Sequence, residues 1–146
     1  MANEHKLDEN SQAVQCHLNI VQNVIQRMSA NSALCKGWCV TLVSAILVVV
    51  ANQSKAEYAF ISVIPLLLFT VLDMYYLALE RAFRNSYNEF IDKLHSQGVS
   101  TSDVYAVQPK GSIAAMTFRA ILSFSIWPFY FVLLLTILFA RYLILA

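Results

Sequence analysis

Three long apolar runs dominate this chain. Residues 38–51 carry no charge, residues 58–79 carry only Asp73, and residues 120–140 carry none. A bilayer's hydrocarbon core takes roughly 20 apolar helical residues to cross. The second and third runs reach that length alone, and the first reaches it as a helix over 37–54. Spans are therefore expected at 37–54, 58–79 and 120–140, with the lipid bilayer as the main partner. Hydrophobic residues make up 58% of the chain and charged residues 13%, with a mean hydropathy of +0.57. Soluble domains average nearer half and a quarter, so the composition sets aside a soluble enzyme.

The net charge of +1 argues against nucleic acid as a partner, because binding it needs a concentrated basic surface to neutralise phosphates. The first apolar run follows more than thirty polar-to-amphipathic residues. It is expected to stay in the membrane as an anchor rather than to be cleaved as a signal peptide. Glycine and proline number three each, which points to a mostly helical chain. The 146 residues are read as a single membrane domain.

Outside the apolar runs the pattern is amphipathic. Val14, Leu18, Val21, Ile25 and Met28 step by four and three, a heptad-like stripe on one helix face. After the second run, Tyr76, Phe83, Tyr87, Phe90 and Leu94 form a second stripe among charged neighbours. Neither stretch contains Pro or Gly, so each is expected to continue its span: an amphipathic helix over 11–36 before the first, and one over 80–95 after the second. Folding back at residues 52–57 brings Lys36 level with Asp73, Asn31 and Ser32 level with Leu77 and Ala78, and Leu18 level with Ile91. The stalk so formed should project roughly 30 Å, at 1.5 Å per residue. Residues 96–112, with Gly98, Pro109 and Gly111, read as a loop returning the chain to the membrane. Pro128 is expected to kink the third span. The fold class is an all-α membrane protein: a long antiparallel helical hairpin, two spans extended into a cytoplasmic stalk, plus a third transmembrane helix.

Lys and Arg near span ends stay on the cytoplasmic side. Arg27, Lys36, Arg81, Arg84, Lys93, Lys110 and Arg119 fall at one end of this arrangement, and Lys55 and Arg141 at the other. That places the N-terminus and the middle segment in the cytoplasm and the C-terminus outside.

Asp73 is the sharpest site candidate, since a carboxylate inside a span costs about 2.5–3.5 kcal/mol at the helix centre. It either pairs with Lys36 and locks the hairpin, or lines an ion path or switch. Around it, Arg27, Asn31, Ser32, Lys36 and Trp38 on one limb gather with Tyr75, Tyr76, Glu80, Arg81 and Arg84 on the other. Anchoring at the interface accounts for the aromatic and basic members. Asn31 and Ser32 suggest hydrogen bonds across helices or ligand binding.

Catalysis finds little support. Cys16, Cys35 and Cys39 lack any zinc or redox spacing, and Cys35 and Cys39 are read as small packing residues on one face. His17 and His95 come to similar heights in the stalk and are read as solvated rather than as a metal pair. No nucleophile motif, phosphate loop, metal site or cofactor site is visible. Thr41, Ser44, Ser62, Thr70, Ser123, Ser125 and Thr136 give the spans modest polarity, without the charged ring a selectivity filter uses.

The run NVIQRMSANS at 23–32, followed by KGW at 36–38 and TLVSA at 41–45, resembles a small family of bacterial membrane proteins. So does LDMYYLALERAFR at 72–84, with Tyr87 after it. The likeness covers roughly residues 20–90 and maps Arg27, Met28, Asn31, Ser32, Lys36, Gly37, Trp38, Asp73, Tyr75, Tyr76, Glu80, Arg81 and Arg84. In architecture that family is similar to the SLATT-like two-transmembrane pore-forming effectors of bacterial conflict systems. The resemblance implies an inner-membrane effector in antiviral defence. Such an effector would oligomerise with its own copies and permeabilise or depolarise the membrane when a sensor protein or nucleotide signal triggers it. The third span departs from the two-span plan. The alternative is a membrane anchor whose stalk recruits a soluble partner.

Overall fold

The computed structural model describes residues 7–53, 55–96 and 98–145, with the side chains of 144 and 145 outside that description. The described residues are helical: α1 (Gln12–Gln53), a 3-10 helix (Ala56–Ser62), α2 (Val63–Ser96), α3 (Thr101–Val104), α4 (Ile113–Ala120) and α5 (Trp127–Leu145). As expected from the lack of Pro and Gly before the first span, the amphipathic stretch continues into it without a break, and α1 runs for 42 residues. The start of the second apolar run, to Ser62, is 3-10 rather than α-helix. Pro65 falls in the first turn of α2, where its missing N–H is harmless.

The heptad rhythm decides which face of α1 is covered. Val14, Val21, Met28, Ser32, Cys35, Cys39, Val43 and Val50 are buried along it. Contacts between α1 and α2 fall in reverse order: Gln22 meets Tyr87, Lys36 meets Asp73, and Cys39 meets the Pro65 carbonyl. The two helices therefore lie antiparallel. At one end Cys39, Val43 and Leu66 pack with Ile126, Tyr130 and Ile137, which brings α5 into the same core. At the other end Val14, Phe90 and Val99 form a smaller cluster, with Leu18 and Leu94 against it.

Two of these helices, Gln12–Gln53 and the continuous stretch Ala56–Ser96, are long and apolar enough to cross a membrane. Only 22% and 28% of their most apolar windows is buried, unlike the core helix of a soluble protein. Val48, Val49, Ile64, Leu67, Leu68, Val132 and Phe139 are among the large apolar side chains left exposed. Soluble monomers rarely carry contiguous apolar patches beyond a few hundred Å².

Residues 120–140 are not one helix. α4 ends at Ala120, and tight turns follow: the Ser123 N–H donates to the Ala120 carbonyl, and the N–H groups of Ile126 and Trp127 both donate to the Ser123 carbonyl. Pro128, expected as a kink, is instead the second residue of α5, where the ring suits the first turn. The apolar stretch of α5 is the shorter Trp127–Leu143.

The expected loop also has structure. Ser100 and Asp103 close α3: the Ser100 hydroxyl and N–H donate to Asp103 Oδ2 at 2.9 and 3.2 Å, and Lys93 Nζ lies 3.4 Å from Oδ1. Hydrogen bonding from Ser100, side chain first and then backbone, with Lys93 adding less, holds the Asp103 carboxyl below its usual range. Leu7 pairs with Val99 in an isolated antiparallel bridge.

Candidate functional site

Ser32 and Lys36 lie one turn apart on the covered face of α1. They meet Asp73 of α2, which is 0% exposed. Lys36 Nζ is 2.5 Å from Asp73 Oδ2, and the Ser32 hydroxyl donates to Oδ1. Lys36 also donates to Ser32 Oγ at 3.3 Å. The fourth member comes from α5: the Tyr130 hydroxyl lies 3.1 Å from Asp73 Oδ2 and 3.2 Å from the Phe69 carbonyl. One buried carboxylate thus receives donors from two other helices.

A buried charge needs both a counter-charge and hydrogen bonds on its remaining lone pairs. Asp73 has both. Lys36 keeps 21% of its side chain exposed, so its ammonium stays near the boundary while its stem lies along the helix. Neither His nor Cys enters the node, whose side-chain bonds run among Ser32, Lys36, Asp73 and Tyr130. Among the described residues no group of three His, Cys, Asp or Glu side chains gathers to hold a metal. Chemically the node is a clamp.

The other sequence candidates separate. Glu80 and Arg84 pair along α2 at 2.9 Å. Arg81 turns instead to the α4–α5 connection, donating to Ser123 Oγ at 2.9 Å. Tyr76 is half-buried with its ring 5.8 Å from that of Tyr75, and Asn31 is half-buried. Arg27 and Trp38 are exposed. Ser32, expected level with Leu77 and Ala78, meets Asp73 one turn away, because its hydroxyl finds the carboxylate there.

His17 is also corrected. It is buried rather than solvated, its Nδ1 lies 2.7 Å from the Val104 carbonyl, and its ring lies 4.3 Å from Phe90. The fold-back of residues 98–106 over the stalk covers it. His95 instead lies 3.5 Å from Glu9, so the two histidines have different partners.

Tyr130 was missed in the sequence. Its signal was a lone hydroxyl-bearing aromatic in the middle of the third apolar run, which in lipid must find an acceptor. The threonines expected to polarise the spans are occupied locally. Thr41, Thr70 and Thr136 each donate to the carbonyl four residues back, and Ser62 to that of Ala59.

Between the stalk helices lies a groove of about 350 Å³, lined by Gln22, Ile25, Gln26, Arg84, Tyr87 and Asn88. Comparison with protein-family models, curated proteins and solved structures gives no match.

Proposed function

We propose that this chain is a multi-pass protein of the bacterial inner membrane, with three spans and a cytoplasmic stalk, acting as a triggered membrane effector in antiviral defence. In the resting state the Asp73 node holds α1, α2 and α5 together. A sensor protein or nucleotide signal acting on the stalk shifts α1 against α2, loosens the node, and lets several copies permeabilise or depolarise the membrane. The resemblance to SLATT-like effectors supplies the function class. The observation that carries the mechanism is the position of the node: it joins all three long helices where the stalk helices enter the apolar bundle. Conduction needs an assembly, since one copy packs its interior with Cys39, Val43, Leu66, Ile126 and Ile137.

The second reading is an anchor whose stalk recruits a soluble partner. It is favoured by the stalk groove, whose amides, Tyr87 and Arg84 suit a polar ligand or peptide, and by the closed apolar core. Membrane potential in bacteria separates the two. Tyr130→Phe removes the α5 donor while leaving the Lys36–Asp73 pair. At matched membrane levels, the effector reading expects Tyr130→Phe to depolarise cells more than wild type without any trigger. Normal potential in both, with the variant still folded in the membrane, selects the anchor.

A further inference from the structure

The connection between the stalk and α5 carries large apolar side chains that are among the most exposed of the described residues. Phe118 is 78% exposed, Leu122 84% and Phe124 87%, with Ile121 and Trp127 also open. Phe118 lies in the last turn of α4, and Leu122 and Phe124 lie in the turns that follow it. The connection itself is tied down: Ala120 is fully buried, Ser123 accepts from Arg81, and the Lys110 N–H donates to the Ala82 carbonyl. A segment fixed by its polar and small residues while three large apolar side chains face out has a partner that the single chain does not provide.

Its height identifies that partner. Ser123 is held by the side chain of Arg81, which lies eight residues from Asp73 along α2, or about 12 Å at 1.5 Å per residue. From Lys36 to Gln53 is about 26 Å on the same rule. A hydrocarbon core of about 30 Å therefore ends a few ångströms beyond Asp73, and the headgroup layer, several ångströms thick, reaches towards Arg81. From Trp127 onward the chain continues into the exposed apolar surface of α5. Arg119, exposed and in no ion pair among the described residues, sits beside Phe118. Apolar side chains flanked by cations suit the boundary of an anionic leaflet.

We infer that residues 113–126 form an in-plane foot, which seats Phe118, Leu122 and Phe124 at the headgroup–acyl boundary of the cytoplasmic leaflet. The foot rests on the membrane reading above. It fixes the depth of the bundle and, through the Arg81–Ser123 bond, couples that depth to α2.

The test uses the full chain in nanodiscs of phosphatidylethanolamine and phosphatidylglycerol. A nitroxide is placed in turn at Phe124→Cys, Leu67→Cys and Tyr105→Cys, with Cys16→Ser removing the exposed native thiol; Cys35 and Cys39 are buried. Leu67 is 60% exposed in the apolar belt, and Tyr105 is 83% exposed at the stalk tip. The expected result is an oxygen-to-nickel accessibility ratio at Phe124 several-fold above that at Tyr105, approaching Leu67. If Leu67 is lipid-facing while Phe124 matches Tyr105, the foot is overturned and the membrane reading stands. If Leu67 is itself open to aqueous nickel, the membrane reading fails and the foot with it. Shielding of Phe124 from both reagents means that a protein surface covers it, which also overturns the foot.

Discussion

Asp73 and Lys36 are unequal partners. Asp73 has no exposed surface, whereas Lys36 keeps 21% of its side chain open and can extend its stem towards water when unpaired. Lys36→Ala leaves a buried carboxylate with hydroxyl donors but no counter-charge, and should destabilise by about 2–4 kcal/mol, below the full value for a wholly buried pair. Asp73→Ala removes the acceptor of two hydroxyls, of which Tyr130 retains the Phe69 carbonyl, and should cost about 1–2 kcal/mol. Unfolding in bicelles by steric trapping would measure both. The double variant is expected to lose less than the two single losses together, by about 0.5–3 kcal/mol; strict additivity would mean that the pair contributes nothing.

At the scale of elements, α1 and α2 were legible because a helical apolar period runs through both with no interior Pro and with Gly37 as their one glycine, and their antiparallel register followed closely enough to pair Lys36 with Asp73. The break between α4 and α5 was not legible. Residues 120–127 contain no Gly, and the chain turns where Arg81, from a distant helix, holds Ser123; a tertiary bond leaves no local signal. Pro128 drew attention as a breaker, yet it opens a helix. Tyr130 was hidden for a similar reason, since its partner lies 57 residues away. The stalk tip was read only as loop because α3 is one turn long, held by Ser100 and Asp103 rather than by periodicity. That cap makes a pH prediction. A carboxyl held below its unfolded value of 3.8 stabilises the fold fully above that value, and the contribution disappears as pH falls through the lowered folded value. Thermal unfolding in detergent should therefore show wild type losing its advantage over Asp103→Asn as pH drops from 5 to 3, with the advantage constant from 5 to 7. Because Asp103 is partly exposed, the difference should be small, and a gap as large at pH 3 as at pH 5 would mean that the carboxylate charge is not what closes α3.

For the whole molecule, charge and exposure together bear on how the chain sits in its membrane. Seven cations, Arg27, Lys36, Arg81, Arg84, Lys93, Lys110 and Arg119, lie at or beyond the Asp73 node, while Lys55 and Arg141 lie at the other end, where Arg141 stacks 4.5 Å over Phe60. That contact sets the far end of α5 beside the 3-10 helix, although the apolar part of α5 is the shortest of the three. On the proposed three-span topology, the positive-inside rule expects Cys16 in the cytoplasm and both Lys55 and Tyr142 outside. Cys16 is exposed while Cys35 and Cys39 are buried, so the native chain already carries one reactive probe. A membrane-impermeant maleimide should label wild type in inverted vesicles and spare it in intact spheroplasts. With Cys16→Ser as background, Lys55→Cys and Tyr142→Cys should both label from the spheroplast side. Lys55 labelling outside while Tyr142 labels only in inverted vesicles would reduce the protein to two spans, with α5 folded back on the cytoplasmic side. The Tyr130–Asp73 bond would then have to form without α5 crossing the bilayer, and the triggered release of three joined spans would lose its basis.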